Sequence, residues 1–104
     1  MMIEIYNIKL LRWLKINAIT IGSIIIYSLP KDEVSERLRR HEQKHVEQFK
    51  RNGFIKFLYK YIKEYIRYRL DGFNHYEAYY YISYEVEARE AEEYKEITGQ
   101  EYDA

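Results

Sequence analysis

The chain contains no cysteine, one proline, four glycines and no net charge. Without cysteine there are no disulfides and no thiolate ligands, so any metal has to be held by His, Asp or Glu. With so little proline and glycine, there is no linker composition and no low-complexity segment. Long apolar runs are missing too. The most apolar stretch, Ile16 to Leu29, is interrupted by Asn17, Thr20, Gly22 and Ser23, whereas a bilayer span needs about 18 to 20 apolar residues. A transmembrane helix is therefore not expected. The opening Met-Met-Ile-Glu-Ile-Tyr lacks the basic start and apolar stretch of a secretory signal, which makes the cytoplasm the expected compartment.

What remains is 104 residues, the length of one domain, so residues 1–104 are expected to form a single unit with one modest core. The balanced charge is unevenly spread: Arg37 to Arg69 is rich in Lys and Arg, and Glu77 to Asp103 is acidic. Two oppositely charged surfaces lying side by side account for this better than a nucleic-acid groove does, because net charge does not reinforce a basic footprint. Nine of the thirteen tyrosines cluster between Tyr59 and Tyr84, and at helical spacing they are expected at core edges with their hydroxyls in water.

The first third reads as strand. Ile3, Ile5 and Tyr6 open a short extended segment, and the β-branched run Ala18 to Tyr27 is broken by Gly22-Ser23, where a hairpin turns. Ile8 to Lys15 fits either a short helix or another strand. Pro30 ends the strand region, and Asp32 or Ser35 can cap the helix that follows. In that helix Val34, Leu38, His41, His45 and Gln48 recur at spacings that put them on one face. Asn52-Gly53 ends it, and Phe54, Phe57, Leu58, Tyr61, Ile62 and Tyr65 form the apolar face of a second helix. Asp71-Gly72 turns the chain. Asn74 with Glu77 forms a capping box for a third helical stretch that runs, with a break near Ser83, to Thr98-Gly99.

The chemistry-bearing segment is His41-Glu42-Gln43-Lys44-His45, an H-E-x-x-H pattern inside a stretch that independently reads as helix. Residues four apart share a helix face, so both imidazoles reach one tetrahedral ion at about 2.0 to 2.1 Å, and the Glu between them lies beside the open position. Zinc lowers the pKa of water to about 7, and Glu42 is positioned as general base. The residue frequencies of the chain give about a 1 % chance of such a pattern arising at random. A catalytic zinc usually takes three protein ligands. His75 is the only other histidine, but an exposed position in a first helical turn suits it better. A carboxylate from Glu85 or Glu87 is the stronger candidate, and being two apart only one of them faces the metal. Glu90, Glu92 and Glu93 read as solvated.

The sequence resembles the gluzincins, specifically the very short ones, the minigluzincins and related H-E-x-x-H domains of phage and mobile elements. The similarity runs from about Ala18 to Ala91. Ala18-Ile-Thr-Ile-Gly-Ser-Ile-Ile-Ile resembles the strand pair before the active-site helix, Arg40 to Gln48 its H-E-x-x-H-x-x-Q form, and Tyr84-Glu-Val-Glu-Ala88 the segment whose Glu, three residues before Ala, is the third ligand. The resemblance selects Glu85 and implies that Ile19, Thr20, Ile21 and Gly22 bind an extended peptide substrate by edge pairing. It gives Gln48 a supporting or packing role beside the metal. Where many relatives carry an Asp that supports a metal-bound His, this chain has Arg89, and Tyr76, Tyr80 and Tyr84 stand as candidates for oxyanion stabilisation.

The expected fold is α+β: a small N-terminal strand layer packed on the H-E-x-x-H helix, followed by two further helical elements in a zincin-like arrangement. The expected activity is zinc-dependent peptide-bond hydrolysis, with His41, His45 and Glu85 on the metal, Glu42 as base, and a peptide or protein as partner. Two alternatives stand beside it. One is a zincin-like domain that binds zinc without turnover, and the other is a nucleic-acid or protein interaction module using the basic helices from Arg37 to Arg69.

Overall fold

A computed structural model describes residues 2–92. The expected helix end near Thr98-Gly99, and Glu93, lie outside the described residues.

Three strands, β1 (Ile3–Ile5), β2 (Ala18–Ile21) and β3 (Ile24–Tyr27), form one sheet in the order β1-β3-β2. The β2-β3 hairpin turns at Gly22-Ser23 as expected, with Gly22 at a φ of 61°, a left-handed conformation that glycine adopts without strain. The opening segment is the third strand, parallel to β3, with Glu4 opposite Ile25. The undecided stretch between β1 and β2 is helical, α1 (Lys9–Trp13), which carries the chain from one sheet edge to the other.

Strand alternation divides the sheet into two unlike faces. Glu4, Thr20 and Ile25 are in register across one face, together with Ala18 and Tyr27; Ile3, Ile5, Ile19, Ile21, Ile24 and Ile26 make up the other. The first face packs on α2 (Glu36–Asn52), burying Ile25, Tyr27, Val34 and Val46. Burial of a side chain such as Ile25 contributes about 1.5–3 kcal/mol.

Ser35 caps α2 by accepting the Leu38 amide at 3.1 Å, while Asp32 falls within a short 3-10 turn. Gly53 alone separates α2 from α3 (Phe54–Leu70). The Asn74-Glu77 capping box starts α4 (His75–Tyr81). The break expected near Ser83 is present and divides the stretch into two helices, because Ile82 is extended and residues 83–92 begin a separate helix, α5. Its first turn is satisfied from outside: the Glu64 carboxylate of α3 accepts both the Ser83 amide, at 2.7 Å, and the Ser83 hydroxyl, at 2.8 Å. The expectation of two helical elements after α2 is thus corrected to three among the described residues.

A second apolar cluster, Phe49, Phe57, Ile82 and Tyr84, lies where α2, α3 and α5 meet, with the Phe57 and Tyr84 rings stacked at 4.3 Å. Among the described residues no helix is long and apolar enough to cross a membrane.

Candidate metal centre

Between the two apolar clusters α2 presents His41 and His45, one helical turn apart, with their rings 5.0 Å from each other. Helix α5 crosses here. Ala88 is fully buried, and its small side chain lets α5 approach closely enough for Glu85 to meet both imidazoles. Glu85 Oε1 lies 3.0 Å from His41 Nε2 and 3.2 Å from His45 Nε2. Glu85 and His45 are buried, and the His41 side chain is 13 % exposed.

The protonation of the far nitrogens follows from their partners. Gln48 donates its amide Nε2 to the Tyr84 carbonyl at 3.0 Å and to Glu87 Oε1 at 2.7 Å, which fixes its Oε1 toward His45 Nδ1 at 2.8 Å. An amide oxygen only accepts, so His45 Nδ1 carries a proton, and in the neutral ring Nε2 keeps its lone pair. His41 Nδ1 faces the Glu92 carboxylate at 2.6 Å and is fixed in the same way. Three acceptors therefore converge: two imidazole lone pairs and one carboxylate oxygen. Such a set is repulsive unless protons or a cation lie among them. In a tetrahedral site with bonds of about 2.0–2.1 Å the ligand atoms are about 3.3 Å apart, close to the two distances from Glu85 Oε1 to the histidines. Imidazole and carboxylate are also the donor types zinc takes.

Without an ion, protons fill that role. Burial acts to lower both histidine pKa values, but hydrogen bonds donated to Glu85, and by His41 also to Glu92, outweigh it, so His41 is raised to about 8 and His45 is raised as well. Burial acts to raise Glu85, yet hydrogen bonds from the two histidines hold it well below the usual carboxylate range. Its second oxygen accepts the Tyr61 hydroxyl at 2.6 Å, which leaves Oε1 alone to face the histidines. The Tyr61 and Tyr79 hydroxyls are both pushed upward, first by burial and then by the charge of Glu85, so both stay protonated donors at neutral pH.

Glu42 is buried beside the histidines, and ligand atoms of His41, Glu42 and His45 lie within 4.8 Å of one another. Glu85 is nearer to both rings. Thr20 Oγ1 donates to Glu42 Oε1 at 2.7 Å, which fixes one oxygen of that carboxylate. Of the four residues expected to contact substrate, Thr20 is thus the one whose side chain reaches the centre. Ile19 and Ile21 point to the opposite face of the sheet, and Gly22 forms the turn. β2 lies at the edge of the sheet.

Glu87 does not join the histidines; it binds Gln48 and, at 3.1 Å, Arg51. His75 is exposed on α4 against the Tyr65 hydroxyl at 2.9 Å. Glu92, expected to be solvated, is instead the partner of His41 and takes the place that Arg89 leaves open. Arg89 itself stacks on Tyr80 at 3.7 Å. Among the tyrosines, Tyr76 is 80 % exposed, Tyr80 lies under Arg89, and the Tyr84 hydroxyl accepts from Asn52. Tyr61 and Tyr79, rather than these three, adjoin Glu85. Much of the basic character of α2 is answered locally, as Arg39 pairs with Glu4, Lys44 with Glu47 and Arg51 with Glu87.

No family model, curated protein or solved structure matches this chain.

Proposed function

We propose that the chain is a small zinc metallopeptidase of the gluzincin type, similar to the minigluzincins, that hydrolyses a peptide bond. The observation that carries this reading is that Glu85 Oε1 lies 3.0 Å from His41 Nε2 and 3.2 Å from His45 Nε2, with both far nitrogens tied down. His41, His45 and Glu85 would hold the ion. When bound, zinc supplies Lewis-acid polarisation of a carbonyl and a water acidic enough to attack at neutral pH.

The remaining roles fall to side chains of the chain. Glu42, with one oxygen fixed by Thr20, keeps the other to take a proton from the attacking water and return it to the leaving amine. The backbone of β2, at the sheet edge, pairs with an extended substrate while its Thr20 side chain holds the base. Tyr79, protonated and beside Glu85, is the donor best situated for a developing oxyanion.

The test is Glu42→Gln, assayed for bound zinc and for cleavage of a quenched-fluorescent peptide library. The expected result is one zinc per chain in both proteins and hydrolysis only in the unmodified one. Equal hydrolysis by the variant would remove Glu42 from the base role. Zinc uptake without hydrolysis by the unmodified chain would turn the reading to a zinc-binding domain without turnover, and absence of zinc uptake would end the metal reading altogether.

A further inference from the structure

The outward side of α3 carries an apolar seam. Ile55, Tyr59, Ile62, Ile66 and Leu70 are exposed by 77, 65, 53, 51 and 82 %. Their spacings of four, three, four and four residues line them along one side of a helix that turns its Phe57 face into the core. Tyr59, Ile62, Lys63 and Ile66 line a shallow open groove on this side. At 100° per residue the five side chains occupy an arc of about 80°, narrower than the face by which a helix lies on a lipid surface and of the width of a coiled-coil seam.

Charge identifies what fits the seam. Lys56, Lys60, Lys63 and Arg67 fall together on one flank, all are exposed, and none pairs with a carboxylate among the described residues. Glu64, on the opposite side of the helix, is committed to Ser83. The other flank holds Leu58 and Tyr65, both packed against the aromatic core, and Arg69, whose guanidinium donates to the Tyr65 hydroxyl at 3.0 Å. A second copy of the chain is disfavoured by this distribution. Antiparallel self-pairing sets the four bases against their own copies, and parallel self-pairing offers them Leu58 and Tyr65 with no acid in reach.

We propose that the outer side of α3 is a docking site for an amphipathic helix of a partner protein that carries acidic residues along one flank. Its apolar edge fills the seam and its carboxylates meet the Lys56-to-Arg67 flank. This proposal uses neither the metal nor Glu42 and stands apart from the peptidase reading.

The probe is a fluorescein-labelled helical peptide of about three heptads with Leu at the seam positions and Glu on the flanks, compared with the same peptide carrying Lys there. Binding to the full chain is followed by anisotropy with chelator present, so that metal binding has no influence. The Glu peptide is expected to bind at least about tenfold more tightly than the Lys peptide, and Lys56→Glu with Lys63→Glu, which leaves two acids and two bases on the flank, to abolish that preference. Ile62→Asp, at an exposed position and checked for unchanged helix content by circular dichroism, is expected to weaken the Glu peptide by about tenfold. Equal binding of the two peptides by the unmodified chain, or of neither, overturns the proposal. So does preferential, Ile62-dependent binding to phosphatidylserine vesicles, which would make this surface a membrane contact.

Discussion

Two polar clusters flank α2, one half-buried and one largely buried, and they balance charge in opposite ways. Toward β1, Arg39 Nη1 donates to Glu4 at 2.7 Å and to the Tyr6 hydroxyl at 2.7 Å, with the guanidinium over the Tyr6 and Tyr27 rings. There a cation and an anion both come from the chain and the charges cancel inside the fold. Toward α5, His41, His45, Glu42, Glu85 and Glu92 gather with acceptor facing acceptor, and the positive charge has to come from outside. The satisfaction of hydrogen bonds differs as well. Glu4 Oε1, Tyr27 Oη and Arg39 Nε are buried without partners in the self-balanced cluster, whereas in the histidine cluster each far nitrogen is matched. An internally neutral cluster tolerates loose ends because its task is to hold two elements together. A cluster of converging acceptors has to be fixed in advance, because misplacement weakens ion binding directly.

The largest expected effect separates the clusters by ligand. Zinc at about a thousand times its dissociation constant stabilises a one-site protein by about 4 kcal/mol. That gain, read as a thermal shift reversed by chelator, is expected to vanish in His45→Ala and to persist in full in Arg39→Met. A zinc-dependent shift retained in His45→Ala would break the distinction. Next comes the converse: Arg39→Met leaves the half-buried Glu4 without its cation and is expected to cost about 1 to 2 kcal/mol in denaturant melts, with or without zinc. A loss confined to the zinc-loaded protein would mean that the two clusters act as one.

Comparable effects sharpen the picture within the histidine cluster. Removing the far-nitrogen partners, by Gln48→Ala or Glu92→Ala, is expected to weaken zinc by about 10- to 100-fold each in competition titrations, with both proteins still folded. An unchanged affinity in Glu92→Ala would return that residue to the solvated role first assigned to it. The smallest effect is a slope. Because the folded-state pKa of His41 is raised from 6.5 to about 8, the metal-free protein holds its proton more tightly than the unfolded chain does. The associated stability is complete below about pH 6.5 and is lost as pH rises through about 8. Zinc competes for the same lone pairs, so its stabilising shift is expected to grow over that window. Arg39 and Tyr27 are both pushed upward from already high values and contribute no slope there. Metal-free melts that stay flat between these pH values would contradict the protonated-histidine account.

The elements visible in the sequence are those defined by local rules. The H-E-x-x-H spacing sets both histidines on one face of α2, Gly22-Ser23 turns the hairpin, and Asn74 with Glu77 starts α4. The break near Ser83 was legible as well, although the Glu64 carboxylate that accepts the Ser83 amide was not. Two features needed distant partners and escaped. The Arg39-Glu4 pair joins a helix to a strand 35 positions away. Tyr61 lies 24 positions from Glu85, and Tyr79, nearer to it than Tyr76 is, differs from the candidates Tyr76 and Tyr80 only in the helix face it takes, which nearness along the chain does not reveal. Glu92 is different, since a signal existed. It lies two helical turns beyond Glu85, so the two share a face, and a face that delivers one carboxylate to His41 delivers the next to the far side of the same ring. Its acidic surroundings disguised it as surface.

The joint between α2 and α3 is one residue long, Gly53, with its amide bonded back to Phe49 at 2.8 Å. So short a link leaves no slack. A load applied along α3 reaches Asn52 directly and, through its bond to the Tyr84 hydroxyl, the start of the helix that carries Glu85. The basic seam on one side of α3 and the Tyr61 hydroxyl on the other thus belong to a single stiff lever whose fulcrum lies two turns from His45. Lengthening that joint by a flexible Gly-Ser pair would uncouple the two ends while leaving every side chain in the molecule unchanged.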